Sequence, residues 1–106
     1  MPGPASSPPR GFVGIISAEL RFGEAHSLKD KRAHIRRVRD RLTGQHGASF
    51  AEIGYQDLWQ RSAVVVAFAA SDLAVLERRM AAALRFLDSQ EWELVSVYEE
   101  VVEIDE

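Results

Sequence analysis

Apolar and polar positions alternate along residues 12–22 of this chain, "FVGIISAELRF". The even positions are almost wholly apolar, whereas the odd positions, beginning with Val13 and Ile15, are mixed. An alternation with a period of two predicts a β-strand that buries one face.

Three further segments have the character of strands. Two of them are joined by a tight turn around Asp57–Trp59, and the second of that pair is apolar on both faces, which is typical of a strand inside a sheet. The last has polar ends, which favour an edge position. These strands are predicted over 48–57, 60–70 and 91–104.

Two helices are predicted between these strands. Ser27 and Asp30 have the spacing of an N-terminal capping box, and the helix that follows runs to about Leu42. Gly44 is expected to end it in the left-handed conformation. In 71–89, leucines and a methionine recur at helical spacing, which predicts the second helix.

The element order is therefore β-α-β-β-α-β, which favours a ferredoxin-like α+β sandwich with an antiparallel sheet and both helices on one face. All four prolines lie within the first nine residues. We therefore expect a disordered Pro-rich tail over 1–10 and a single ferredoxin-like domain over 11–106.

The composition narrows the possible chemistry. The chain of 106 residues has no cysteine, which excludes disulfides, thiolate metal sites and cysteine nucleophiles. Its three histidines show no metal-ligand spacing, so neither a metal nor a cofactor is expected. No apolar run reaches the roughly 20 residues of a membrane helix, and the N-terminus lacks the features of a signal peptide. We expect a cytoplasmic protein that does not bind a membrane.

Charge is distributed unevenly along the chain. The net charge is −3, yet eight of the thirteen lysines and arginines lie between Arg21 and Arg41. From Phe86 onward there are eight acidic residues and no basic one. This asymmetry predicts a dipolar surface that binds a polyanion on one side or a second copy of the chain.

The first helix carries most of this positive charge, spread around much of its circumference. Repulsion among the arginines gives no benefit to folding, so an anionic partner would explain them. That partner is either the phosphate backbone of structured RNA, plausibly ribosomal, or the acidic C-terminal segment of another subunit. The candidate nucleic-acid-binding residues are Lys29, Arg32, Arg36, Arg37, Arg39 and Arg41.

Lys31 differs from these residues because it falls within the apolar stripe of the helix. A buried, unpaired ammonium group is costly, so we expect Lys31 to extend past the core edge or to pair with Glu19 or Glu52. The alternative to a structural pair is a cofactor-free enzyme or a small-molecule site on a dimeric scaffold, with Lys31, Glu52 and Asp57 as weak catalytic candidates.

The exposed face of the sheet is predicted to be apolar, with Val13 and Ile15 on it and valines and alanines from the third strand beside them. It lacks the aromatic residues that stack RNA bases on this topology. We therefore expect the face to be buried in a homodimer, with Trp59 at the same interface.

Two separated segments resemble a known family. The segment "SLKDKR" at 27–32, and "ASFAEIGYQDLWQRSAVVVAFAAS" at 48–71, are similar to the YlxP-like family of small bacterial proteins of unknown function. The likeness extends over about residues 12–104. It implies a ferredoxin-like fold and a link to ribosome assembly or translation, and it implies no established reaction or catalytic residue. The loop "GQHGAS" departs from the family pattern, which implies a different partner contact there.

The leading hypothesis from the sequence is a non-enzymatic, homodimeric accessory protein that binds ribosomal or other structured RNA through its basic helix.

Overall fold

The computed structural model describes residues 9–89 and 91–105 as one antiparallel sheet covered by two helices. The predicted order of elements is confirmed. The first strand begins at Arg10, while residues 1–8 of the predicted tail lie outside the described residues. The elements are β1 (Arg10–Arg21), α1 (Leu28–Gly44), β2 (Ser49–Gly54), β3 (Arg61–Ala70), α2 (Leu73–Leu87) and β4 (Glu93–Asp105).

The strands lie in the order β2-β3-β1-β4, and each neighbouring pair is antiparallel. This is the ferredoxin-like α+β arrangement. The apolar strand β3 lies inside the sheet, and β4 lies at an edge, as predicted. Neither helix within the described residues is long and apolar enough to cross a membrane.

The core lies between the helices and one face of the sheet. The even positions of β1 from Phe12 to Leu20 are buried, and Ile16 and Leu20 share a fully buried core with Val38 and Leu42 of α1 and Leu76 of α2. Each of these side chains contributes about 1.5–3 kcal/mol through removal of apolar surface from water. The alternation in the sequence therefore identified the buried face of β1 correctly.

Gly14 of β1 is required by close packing against α2. A Cβ atom at this position would overlap the sulfur of Met80 and would lie 3.1 Å from Leu76 Cδ1. Absence of a side chain here lets the second helix approach the sheet closely.

Side-chain caps start both helices. Ser27 Oγ accepts a hydrogen bond of 3.0 Å from the Asp30 amide, and the Asp30 carboxylate accepts one of 3.0 Å from the His26 amide. The predicted cap by Ser27 is therefore present, while the reciprocal bond of the capping box reaches the amide of His26, one residue before the N-cap. Asp72 caps α2 in the same way.

The end of α1 differs from the prediction. The helix includes Gly44 and is capped by Gln45, whose backbone is right-handed. The glycine with a positive φ, 63°, is Gly47, in the loop that leads to β2. The prediction of a left-handed Gly44 was wrong because the helix continues two residues beyond Leu42 and includes Gly44 in its last turn.

Candidate functional site

The six basic residues that were predicted to bind nucleic acid are all exposed on α1, but two of them turn toward α2 and the segment after it. Arg37 donates to the Glu91 carboxylate at 2.6 Å. Arg41 donates to Gln45 Oε1 at 2.9 Å and lies over the Phe86 ring, with 4.9 Å between its guanidinium carbon and the ring centroid. Arg37 and Arg41 therefore have partners within the chain.

The remaining four, Lys29, Arg32, Arg36 and Arg39, follow one another at spacings of three and four residues and so form a line on one side of the helix, here named the basic row. With a rise of 1.5 Å per residue, the row is about 15 Å long. Arg39 bonds to the adjacent Asp40 at 3.2 Å. Within the described residues, no carboxylate lies within 4.0 Å of the side-chain nitrogens of the other three.

Lys31, by contrast, is 1% exposed and points into the protein. Its Nζ lies 2.9 Å from Glu52 Oε2 and donates to the Tyr55 carbonyl oxygen at 2.5 Å. Ser62 Oγ donates to the same Glu52 oxygen at 2.6 Å. The pairing of Lys31 with Glu52 was one of the two predicted pairings; Glu19, the other candidate, instead binds Arg61.

This buried network ties α1 to β2, to β3 and to the hairpin that joins them. The lysine has two acceptors and the glutamate has two donors, so neither of the two charged groups is left without a partner. The network therefore supports a structural role for Lys31 and Glu52, since each is satisfied by the other and by neighbouring protein groups.

Asp57 lies elsewhere, in a cleft of about 620 Å³ at one end of the exposed sheet face. The structure thus brings Lys31 and Glu52 together and places Asp57 at a different location. One wall of the cleft is the hairpin segment 57–60, and the floor comes from the sheet. The floor residues are Glu19, Arg21, Arg61, Glu93 and Val95.

The hairpin over this cleft is held by contacts that the sequence did not reveal. Tyr55 has a positive φ of 58°, and its ring lies 3.9 Å from the Arg61 guanidinium carbon. Gln56 and Gln60 anchor the two arms: Gln56 donates to the Glu52 carbonyl at 3.2 Å, and Gln60 to the Ala25 carbonyl at 3.1 Å. No local pattern signals the bond of Gln60, because its partner is 35 residues away.

As a result, the tip of the hairpin presents large apolar side chains to solvent. Trp59 is 52% exposed and Leu58 is 45% exposed. Aromatic residues of this kind are common at the centres of protein interfaces.

The exposed sheet face continues from this tip as an apolar surface. On this face Val13 pairs with Ala69, and Ile15 pairs with Ala67. Val13 and Ile15 are half-buried by their neighbours rather than covered by another element. Val13 and Ile15, two of the three residues predicted to form an interface, therefore lie on the uncovered side of the sheet.

His46 lies in the loop after α1, close to Arg41 and Arg85. Burial lowers its pKa below the usual value near 6.5, and the positive charges of Arg41 and Arg85 lower this pKa further. Among the described residues, no three acidic or histidine side chains converge in a way that would hold a metal ion.

Comparison with known proteins identifies the family. Residues 13–99 match the family described as "Protein of unknown function (DUF503)". The chain belongs to the DUF503 family. It is 36% identical over 78 residues to the uncharacterized protein YlxP of Bacillus subtilis (strain 168), a match that spans 74% of this chain and 85% of that protein. The predicted YlxP-like resemblance is thereby confirmed.

Solved structures support the fold of this DUF503 chain. The structural-genomics structure of protein YJCS superposes with a TM-score of 0.51 at 10% identity, covering 83% of this chain and 96% of YJCS. A likeness at this identity concerns the fold alone. A de novo designed protein, Foldit4, is more distant, with a TM-score of 0.42 at 16% identity.

Proposed function

We propose that this protein is a non-enzymatic, cytoplasmic accessory protein that binds structured RNA, in association with the ribosome, through the phosphate contacts of α1. The observation that carries the proposal is the basic row. Lys29, Arg32 and Arg36 have no carboxylate partner among the described residues, although the chain as a whole has more acids than bases.

The basic row is better suited to contacts with the phosphate backbone than to recognition of individual bases. Its four cations lie on a rigid helix, which fixes their spacing and lowers the entropy lost on binding. The sheet face offers small aliphatic side chains instead of stacking aromatics on its central strands, so recognition would depend on the shape and charge of the RNA.

A salt titration tests the proposal. For a duplex, each neutralised phosphate contributes roughly −0.9 to the slope of the logarithm of the binding constant against the logarithm of the salt concentration. Four phosphates give a slope of roughly −3.6, so affinity falls about a hundredfold between 50 and 200 mM salt. In the double variant R32Q/R36Q, the slope is expected to fall to roughly −1.8 and the affinity at 50 mM salt to fall about a hundredfold.

The matched control is R78Q/R85Q, which removes the same charge from exposed positions of α2. This control should retain the slope of the unmodified protein. The proposal is wrong if ribosomal RNA does not bind in a filter assay at 50 mM salt, or if the two double variants lose affinity equally.

We propose further that the protein acts as a homodimer whose copies meet at the exposed sheet face. The ten paired positions of β1 and the four-strand width of the sheet give a face of roughly 600 Å² per copy. Two such faces bury roughly 1,200 Å², the lower limit for a specific interface, and Leu58 and Trp59 would add to it.

The interface has its own test. A glutamate in place of Val13 would place a charge within the proposed buried area and should convert the dimer to a monomer in sedimentation velocity. V75E makes the same change at an exposed position of α2 and should leave the dimer intact. A monomer at 100 μM for the unmodified protein would contradict the interface.

A further inference from the structure

β4 is a long edge strand with little cover. β4 has thirteen residues, and it is hydrogen-bonded along only one of its two sides, to β1. Every described residue from Val95 to Asp105 is exposed. The outer side of β4 therefore offers a row of backbone donors and acceptors to which another strand can pair.

Apolar side chains of β4 are exposed on both faces of the sheet. Val97 and Val101 lie on the helix side, opposite Ala18 and Gly14 of β1, and are 45% and 44% exposed. On the other side, Val102 and Ile104 are also exposed. The second helix packs chiefly on β1 and β3, which leaves this edge uncovered.

Acidic residues alternate with these apolar ones, and β4 contains no basic residue. Glu99 and Glu103 are on the helix side, and Glu100 is on the other. Glu103 is paired with Arg10, while among the described residues no basic nitrogen lies within 4.0 Å of the carboxylates of Glu99 and Glu100. The edge therefore combines apolar contact area with negative charge.

A groove between α2 and β4 continues this pattern. Its volume is about 480 Å³, its apolar lining includes Met80, Leu84 and Val101, and Glu77 and Glu99 are among its acidic lining residues. A ligand with an apolar side chain flanked by lysine or arginine would fit the apolar lining and the acidic residues of this groove.

A second copy of the chain is poorly suited to this edge. Pairing β4 with another β4 would bring Glu99, Glu100, Glu103 and Asp105 of both copies together along one seam without a basic residue on either strand. Like charges on adjacent strands destabilise a sheet, whereas opposite charges stabilise it.

We propose that β4 is a docking edge for an extended basic segment of another protein, which adds a strand to the sheet and alternates apolar residues with lysine or arginine. Main-chain hydrogen bonds supply affinity, and Glu99 and Glu100 select positive charge. In the strand order β2-β3-β1-β4, this edge lies opposite β2, on which α1 packs. The proposal is thus independent of RNA binding by the basic row.

A synthetic peptide tests the proposal. The probe is a labelled ten-residue peptide of alternating lysine and valine, blocked at both ends and titrated with the protein at 50 mM salt by fluorescence anisotropy. A second peptide has the same charge but proline in place of two valines, which removes main-chain donors and disfavours a strand. The alternating peptide should bind at least tenfold more tightly than the proline peptide.

Protein variants assign the binding to β4. E99Q/E100Q should weaken the alternating peptide about threefold to fivefold, because the lysines share one face of the added strand and the cross-strand charge pair with the carboxylate on that face is lost. E24Q/D57N, which makes the same change in charge at exposed positions outside β4, should change the affinity less than twofold. R32Q/R36Q should leave peptide binding unchanged, so failure of this proposal is distinguishable from failure of RNA binding.

Three outcomes overturn the docking edge. The first is equal binding of the two peptides, which indicates charge attraction without strand addition. The second is an equal loss in E99Q/E100Q and E24Q/D57N. The third is protection of β4 amides from hydrogen exchange in the protein alone with no further protection by the peptide, which indicates that a second copy or another segment of the chain covers the edge.

Discussion

Replacement of Lys31 by methionine tests the buried network directly. Methionine retains most of the length of the side chain and removes its charge, so Glu52 keeps only the hydrogen bond from Ser62. Breaking a buried ion pair by removing one partner costs about 3–5 kcal/mol. The Glu52 side chain is 21% exposed and retains some access to water, so we expect the lower end, about 3 kcal/mol.

The Tyr55 carbonyl adds little to this cost. It also accepts a hydrogen bond of 3.0 Å from the Leu58 amide, so the loss of the lysine does not leave it without a donor. The destabilisation should therefore come chiefly from the unpaired carboxylate.

Urea unfolding measures the effect. With a slope of about 2 kcal/mol per molar urea, a loss of about 3 kcal/mol moves the midpoint down by about 1.5 M. In a thermal scan the same loss lowers Tm by about 10–20 °C. K29M is the matched control, because Lys29 lies two residues away and is exposed. Its free energy of unfolding should change by less than about 0.5 kcal/mol.

A double-mutant cycle separates the pair from its surroundings. E52Q alone leaves the Lys31 ammonium buried beside one carbonyl, and K31M/E52Q should cost less than the sum of the single changes by about 2 kcal/mol. Additive single changes, or a K31M midpoint that equals that of K29M, would refute the assignment of Lys31 as a structural ion pair.

Three further predictions concern the fold. S27A removes the acceptor for the Asp30 amide and should cost about 1 kcal/mol in urea unfolding, whereas the exposed substitution S49A should cost less than half as much. The pKa of His46 is lower in the folded chain than in the unfolded chain, so the unfolded chain binds more protons near pH 6 and stability should fall as pH decreases through 6.5. The variant H46Q should show a smaller fall in stability between pH 7.5 and 5.5. An identical pH profile for H46Q and the unmodified protein would contradict this account. G14A should cost about 1–3 kcal/mol through overlap with Met80, and less in an M80A background; equal cost in both backgrounds would show that the overlap is not the cause.

Much of the fold could be predicted from local patterns. The period of two in β1 and the cap at Ser27 depend on residues close together in sequence, and each was found in the structure. The end of α1 was misplaced because Gly44 and Gly47 are both compatible with a stop signal, and only the packing of the loop decides between them.

The candidate site was less predictable, because its geometry depends on contacts between distant residues. A helical projection placed Lys31 among apolar residues, and an acid on a neighbouring strand was the expected partner, but the sequence left Glu19 and Glu52 open. Registers decide between them: Glu52 shares the helix side of the sheet with Ser62, whereas Glu19 faces the other side, beside Arg61. The same registers place Asp57 in the cleft rather than beside Lys31.

The two segments that resemble the family, 27–32 and 48–71, contain residues bonded within the chain and residues whose side chains are exposed. In the first, Ser27 and Asp30 cap the helix and Lys31 binds Glu52, but the side chains of Lys29 and Arg32 have no partner among the described residues. In the second, the side chains of Gln56, Gln60 and Arg61 bond within the chain, but Trp59 is exposed.

This division fits the accessory role proposed above. The bonded residues fix the start of α1 and the hairpin as rigid elements, and the exposed residues are cations on the helix and an aromatic side chain on the hairpin tip. A rigid helix with free cations fits a polyanion, and a rigid apolar tip beside an apolar sheet face fits a protein surface. The buried ionisable pair, Lys31 and Glu52, is held in place by further hydrogen bonds with Tyr55 and Ser62, as a structural pair requires. The K31M measurement therefore bears on function as well as stability. R32Q/R36Q should lose RNA affinity without loss of stability, whereas K31M should lose stability without loss of RNA affinity.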